Sequence, residues 1–516
     1  MRLFDALMTW DEELGGDPHR FTNVDLVRKT MDRYRIERAV VSGGVSRRPG
    51  IEYINEKVFE AAAKDERIVP APVVVPDSGL EVGDEDAYIE GLVLRGARVA
   101  CFYPKTMGTS LDPRVVDGLF GAIERRRLPV ALFETNWIES ADIAARFPGI
   151  PFILHRPDYR NRRYLSLMKA VPNLYVSLAP NFAPYRGIET IVRECGAERI
   201  LFASGYPQSE PGAPIGALMY SSLDEDAVER IGYGNMQRLI EGVACAETAA
   251  PAERTPAAAP ADELVTAVWD RRPLPVPDII DMHTHYSKWV QFPIWGGLAD
   301  DLVEEMDRAG VEKAVLAPQA SLTPALVCGN EDVLEAMKKY PDRLLGYACC
   351  YPVREDTGLK EIERCMDAGM TGIKMHTAAG LEYTFEGYAP VWKYADENQI
   401  PVLLHTWGDL DRMDSLFGTY TRAPVILGHA GAVDPAMYVN YAKKYPNLWL
   451  ELCLSRSPCG MVEYLVREVG ADRILYGSDA PWMPFGHQLG RVLFADISED
   501  DKGKILAENA KRMLEK

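Results

Sequence analysis

No stretch of the chain approaches the roughly 20 consecutive apolar residues that a membrane-spanning helix needs, so an integral membrane role is not expected. The opening Met-Arg-Leu-Phe-Asp-Ala-Leu has no apolar core followed by a small-residue cleavage site, which argues against a secretory signal. Cations are in deficit: 57 Lys and Arg face 76 Asp and Glu, for a net charge of -19. A general binder of nucleic acid or anionic membrane needs clustered Lys and Arg, so neither partner is expected, while a local basic pocket for a small anion stays open. The nine Cys are scattered, with one adjacent pair, Cys349-Cys350, in a strand expected to be buried. They form neither a disulfide framework nor a CxxC zinc motif. These absences together favour the reducing cytoplasm.

The rest of the composition is that of a globular protein, with 47% hydrophobic and 26% charged residues. At 516 residues the chain is too long for one compact core, so two or more domains are expected. An Ala/Pro-rich stretch over 245–275, containing Ala249-Ala250-Pro251-Ala252 and Pro256-Ala257-Ala258-Ala259-Pro260, has the composition of a semi-rigid tether. A short helix around Asp262 to Trp269 interrupts it. Residues 1–244 and 276–516 flank this linker, and each is near the size of a (β/α)8 barrel, about 250 residues.

The two flanks match in order and register. Phe4-Asp5-Ala6-Leu7 answers Ile280-Asp281-Met282-His283, and Arg38-Ala39-Val40-Val41 answers Lys313-Ala314-Val315-Leu316. Leu128-Pro129-Val130-Ala131-Leu132 pairs with Ile400-Pro401-Val402-Leu403-Leu404, and Ala197–Phe202 with Ala471–Tyr476. Asn235 and Arg238 face Asn509 and Arg512. A repeat of this length is a duplicated domain. Within the second copy, the apolar runs Lys313–Ala317, Leu344–Cys349, Gly372–Met375, Pro401–Leu404, Val425–Leu427, Leu448–Leu452 and Ile474–Tyr476 read as strands buried on both faces. Leu298–Ala309, Asn330–Lys339, Leu359–Ala368 and Tyr388–Glu397 carry helical periodicity. This alternation predicts an α/β chain of two tandem (β/α)8 TIM-like barrels. An open doubly wound sheet would normally place a Gly-rich phosphate turn after its first strand, and here the first strand ends in His-Thr-His.

Histidine is scarce, eight residues in all, and six lie in the second half. Five of those six end apolar strands: His283, His285, His376, His405 and His429. Asp479 follows Ile474-Leu475-Tyr476-Gly477-Ser478 in the same way. Barrel enzymes carry their catalytic groups at such strand ends, and residues two apart on a strand point the same way, so His283 and His285 can reach one metal.

The ordered set HxH, Lys-x-His, strand-end His, His-x-Gly and Gly-Ser-Asp-x-Pro resembles the metal-dependent amidohydrolase superfamily, and within it the amidohydrolase-related branch that includes aminocarboxymuconate semialdehyde decarboxylase. The resemblance implies one divalent ion, most commonly zinc with manganese, iron or cobalt as alternatives, on His283, His285, His405 and Asp479. It implies His429 as the activating residue, and Asp479 as ligand and proton carrier together. Lys374 and His376 fall where some relatives use a carboxylated lysine; a substrate-binding role is the expectation here. Trp289, Trp295, Tyr351, Trp407, Arg456 and Trp482 are substrate-side candidates by position, with Arg456 suited to a carboxylate.

At the matching strand ends the first copy carries Leu7 and Thr9 for the HxH pair, Cys101 and Tyr103 for Lys374 and His376, Phe133 for His405, and Gly205 for Asp479. Arg156 stands opposite His429, with His155 beside it. Leu, Phe and Gly offer no ligand atom, so residues 1–244 are expected to be a barrel without a metal site, paired with the catalytic barrel in the manner of a second subunit; a recruited role for Arg98 or Arg156 is the alternative. A homodimer of whole chains stays open. The leading functional expectation is hydrolysis of an ester, lactone, thioester or amide of a small organic substrate by metal-activated water. The alternatives are a non-oxidative decarboxylase or hydratase of an aromatic or muconate-like carboxylate, and a paired-barrel scaffold with structural metal.

Overall fold

The apolar runs of the chain become short parallel strands, because each is covered by side chains on both faces and leaves no solvated edge within its sheet. A computed structural model describes residues 1–10, 23–43, 50–155, 157–178, 182–244, 262–289, 292–319, 326–352, 357–455 and 457–515. Arg156 and Arg456 lie outside the described residues, as does 245–261 of the expected linker. The chain divides into two compact units, Met1–Ala183 with Gly187–Ala261, and Asp262–Lys516 with Pro184–Arg186. The helix Glu263–Trp269, capped by Asp262, buries Leu264, Ala267 and Val268 within the second unit.

In the first unit the strands are β1 (Leu3–Trp10), β2 (Ile36–Gly43), β3 (Ile68–Pro70), β4 (Ala100–Phe102), β5 (Val130–Leu132), β6 (Phe152–Leu154), β7 (Leu174–Ser177) and β8 (Ile200–Leu201). They form two parallel ladders, β1-β2-β3 and β4-β5-β6-β7-β8. The bridges Val73–Cys101 and Met8–Tyr206 join the ladders into a ring. In the second unit β9 (Ile279–Tyr286), β10 (Val311–Pro318), β11 (Leu344–Ala348), β12 (Gly372–Met375), β13 (Val402–His405), β14 (Val425–Gly428), β15 (Leu448–Glu451) and β16 (Ile474–Leu475) make one eight-stranded parallel sheet. Backbone hydrogen bonds from Met282 N to Tyr476 O (3.0 Å) and from Asp479 N to His283 O (2.8 Å) carry β16 back to β9. The protein is a tandem of two (β/α)8 barrels.

The two rings close by the same device. In the first, Asp5 Oδ1 accepts from Leu7 N and Ser204 N, both at 2.9 Å. In the second, Asp281 Oδ1 accepts from His283 N at 3.0 Å and Ser478 N at 3.1 Å. A second shared clamp fastens the last helix. Asn235 Nδ2 donates to Ala197 O and Ile200 O, and Asn509 Nδ2 to Ala471 O and Ile474 O, all within 2.9 Å. Each such bond contributes about 0.5–1.5 kcal/mol. The interiors are filled by alternate strand residues, as in Val40, Cys101, Ala131, Ile153 and Leu201 of the first unit and Val315, Ala317, Leu403, Ile426 and Leu475 of the second.

The strands and helices expected in the second copy agree with those observed to within a few residues at either end. Cys349 and Cys350 are buried just past β11 and not within it. Cys101, Cys195, Cys349, Cys350, Cys365, Cys453 and Cys459 are free thiols. Among the described residues no helix is long and apolar enough to cross a membrane.

Asp5 is fully buried, and burial pushes its carboxyl up to about 7 against the pull of its hydrogen bonds to Ser204 and Leu7. A carboxyl raised in the folded state is protonated there while the unfolded chain has already ionised, so its stabilisation is complete below about pH 4 and is lost as pH rises through about 7. Asp5→Asn removes this titration. Relative to wild type, the variant should gain on the order of 1 kcal/mol of stability per pH unit across that window, then run parallel above it. Denaturant midpoints of the two proteins from pH 4 to 8 test this; a constant difference would refute it.

Candidate metal centre

The strand ends of the second barrel converge on one buried cluster. β9 supplies His283 and His285. Between Ala314 and Leu316 of β10 its register advances by three residues (Asp281 to Thr284) against two, a bulge of the kind that re-aims side chains. Both imidazoles then meet Asp479: His285 Nε2 lies 3.1 Å and His283 Nε2 4.0 Å from Asp479 Oδ1. Two ligands about 2.1 Å from one ion sit roughly 3 Å apart at a right angle and about 4.2 Å apart in opposition, so these separations suit a shared divalent cation. The donor set of two imidazoles and a carboxylate is acceptable to zinc and to manganese, iron or cobalt. His285 Nδ1 is buried and has no hydrogen-bond partner among the described residues.

Asp479 occupies a left-handed backbone position, φ 61°, and its counterpart Gly205 has φ 66°. Burial opposes ionisation of Asp479, but the His285 hydrogen bond and the surrounding imidazoles outweigh it and hold the carboxyl below its usual range. His283, His285, His405 and His429 are all held below the ordinary imidazole range, burial being the largest cause in each. They are therefore neutral at pH 7, the form that binds metal.

His405 and His429 form a second pair beside this group. His429 Nδ1 is 2.8 Å from Cys453 O, and its Nε2 is 2.9 Å from His405 Nδ1. Since a carbonyl only accepts, His429 donates from Nδ1, His405 donates from Nδ1 to His429 Nε2, and the lone pair of His405 is left on Nε2. Two sets of ligand atoms lie within 4.8 Å of one another, His283 with His285 and Asp479, and His283 with His429, Glu451 and Cys453; His405, expected as the fourth ligand, is in neither. Its ring lies 4.0 Å from that of His376 and parallel to Trp407 at 6.2 Å.

The substrate-side candidates are distributed unevenly. Lys374, fully buried, has Nζ 2.9 Å from His283 Nε2, and burial pulls its pKa down. His376 Nδ1 accepts from Ala378 N at 2.9 Å, a cap for the turn after β12, and burial takes its pKa down to about 3. Trp482 lies 5.9 Å from the His285 ring, with Trp289 at 5.4 Å and Phe292 at 5.2 Å from Trp482. Trp407 is half exposed at the mouth.

Three buried groups of the second barrel carry no sequence motif. Glu451, at the end of β15, has Oε2 2.7 Å from His283 Nδ1, and Cys453 Sγ is 3.1 Å from the same nitrogen. Their signal was an acidic residue closing an apolar strand, Leu448-Trp449-Leu450-Glu451. Gln319 directly follows β10, whose Val315 and Ala317 face the core; it is 1% exposed, and among the described residues neither amide atom has a hydrogen-bond partner.

In the first barrel the corresponding positions are filled by an aromatic stack. Tyr103 lies on Phe133 at 4.1 Å, and Phe133 on His155 at 5.3 Å. The pairing of β5 with β6 puts His155 one step past Leu154, where the second barrel has Gly428, so His155 does not take the place of His429. Arg98 spends its guanidinium on the backbone oxygens of Val93 and Ala97.

Both halves of the chain, residues 8–241 and 280–516, match the amidohydrolase family model. The chain belongs to the amidohydrolase family. Among its relatives, the gamma-resorcylate decarboxylase of Rhizobium radiobacter is 23% identical over 287 residues, covering 42% of this chain and 87% of that protein. The solved 2,6-dihydroxybenzoate decarboxylase from Rhizobium is similar with a TM-score of 0.39 and 20% identity, covering 46% of this chain and 98% of its own. A dihydroxybenzoic acid decarboxylase from Polaromonas sp. JS666, solved with bound manganese, has a TM-score of 0.35 and 20% identity over 46% of this chain and 97% of its own.

One divalent ion per chain is the expected stoichiometry for this amidohydrolase, read by elemental analysis after zinc or manganese loading. His285→Ala should cut bound metal at least tenfold, whereas Phe133→Ala in the first barrel should leave it unchanged. Two ions per chain would contradict a single site.

Proposed function

We propose that the chain is a metal-dependent, non-oxidative decarboxylase of a small hydroxylated aromatic carboxylate, with its chemistry in the second barrel. The observation that carries this reading is the aromatic cluster of Trp482, Trp289 and Phe292 against His285, a wall suited to a flat ring. The sequence relatives named gamma-resorcylate decarboxylase move the reading from the hydrolysis first expected to loss of carbon dioxide. Hydrolysis uses the same ligands and is the second reading, since function lies in the site and its substrate more than in the fold.

His283, His285 and Asp479 would hold the ion, with the adjacent His405–His429 pair supplying the Nε2 lone pair of His405. When bound, the ion supplies Lewis acidity toward the oxygens of the substrate. The remaining work falls to the chain. Lys374, beside His283, would offer a donor to substrate oxygens from a buried position, where such bonds are strong because water is excluded. Decarboxylation needs a proton at the ring carbon that carries the carboxyl group. As that proton arrives, the carbon–carbon bond breaks, its electron pair returns to the ring, and carbon dioxide leaves. Asp479 is the proton carrier by position: its lowered pKa keeps it ionised at neutral pH, so it takes up a proton before passing it to the ring carbon, and His429 is the neutral imidazole nearby. General acid groups of this kind contribute typically about 10²–10⁴-fold.

The metal-loaded chain is expected to convert 2,6-dihydroxybenzoate to 1,3-dihydroxybenzene with one carbon dioxide released per turnover, followed by chromatography and gas trapping. Asp479→Asn, which keeps an oxygen donor, should lower kcat by about 10²-fold or more, with bound metal measured alongside. Turnover of lactones or esters without any carbon dioxide from aromatic acids would favour hydrolysis instead.

A further inference from the structure

We infer that Glu451 is a positioning residue that fixes the tautomer of His283, and that Gly477 and Gly428 are kept side-chain-free to make room for this pair. The inference rests on the reading of His283 as a metal ligand, which it deepens. Glu451 is completely buried. Its Oε2 meets His283 Nδ1 at 2.7 Å, His429 N at 3.3 Å and Cys453 Sγ at 3.1 Å, and its Oε1 accepts from Cys453 N at 2.6 Å. Three donors, His429 N, Cys453 N and Cys453 Sγ, converge on this carboxyl group, and His283 becomes the fourth when its proton sits on Nδ1, the tautomer that also lets Nε2 accept from Lys374. That leaves the lone pair on Nε2, the atom turned toward Lys374 and Asp479. A carboxylate behind a ligating imidazole sets its orientation and raises its basicity, and losing such a partner typically costs about 10–100-fold in metal affinity.

The glycines make the same point by geometry. A Cβ on Gly477 would lie 2.2 Å from Glu451 Oε1 and 2.7 Å from His283 Cβ; one on Gly428 would lie 2.6 Å from Leu404 O and 3.2 Å from His283 Cε1. The first barrel is the internal control. There His283 is replaced by Leu7 and, by strand pairing, Glu451 by Ser177. The two glycine positions are occupied by Ala203 and His155. Where the pair is absent, so is the space for it.

The test is Glu451→Gln in the full-length chain, with Gly477→Ala as a second variant that displaces the carboxylate without removing it. Side-chain ¹⁵N spectra of the metal-free proteins report the tautomer, and competition with a chelating dye reports affinity for zinc alone. The wild type should show His283 protonated at Nδ1. Both variants should bind zinc at least tenfold more weakly, and Glu451→Gln should move the His283 proton toward Nε2, a change that general loosening of the core would not produce. Near-UV circular dichroism checks that each variant is folded, and if one is not, the other carries the test. Unchanged tautomer and affinity in a folded variant would overturn the proposal. A wild type that shows the Nδ1 tautomer but binds no metal would sink the functional reading and leave the His283–Glu451 assignment standing.

Discussion

Everything at the candidate centre depends on how the second barrel closes. His283 and Asp479 come from opposite ends of the domain, and only the seam between its first and last strands brings them together. One buried carboxyl, Asp281, holds that seam by accepting from a backbone N–H on each side. Burial pushes this carboxyl up to about 8 against those two hydrogen bonds. At neutral pH it is a protonated, uncharged clamp, which avoids the cost of a buried unpaired charge so close to the candidate ligands.

The same clamp recurs around Asp5, where Leu7 follows in the place of His283. The framework and the chemistry are thus separable in this fold: the aspartate, the serine across the seam and the final asparagine serve closure in both barrels, while the His, Glu and Gly set serves the second alone. In the first barrel the freed space is filled by stacked rings, because a vacated polar cavity must be either hydrated or packed.

Much of this was legible in the sequence. Apolar runs of fixed spacing gave away the strands, since a barrel strand is buried on both faces, and the internal repeat allowed each position to be checked against its twin. His283, His285, His429 and Asp479 were readable because they are rare polar residues at the ends of apolar runs. Glu451 and Gln319 were not: a single acid or amide after a strand has many ordinary explanations, and only three-dimensional placement reveals that Glu451 meets His283. The separation of His405 from the His283–Asp479 group was equally hidden, because strand order fixes which neighbours touch but not which way a ring turns. Gly428 and Gly477 stand in the sequence only as neighbours of His429 and Asp479, and their meaning lies in the atoms that a Cβ would strike.

The backbone at Asp479 has a further consequence. A left-handed conformation costs a residue with a side chain about 1–2 kcal/mol, and glycine adopts it freely. The second barrel bears that strain to present a carboxylate; the first, with Gly205 at the same angle, does not. Exchanging aspartate for glycine here is a step downhill in stability, and the reverse step is uphill and yields nothing until the histidines also return. The seam therefore acts as a ratchet, along which a barrel of this kind loses a strand-end carboxylate more readily than it regains one.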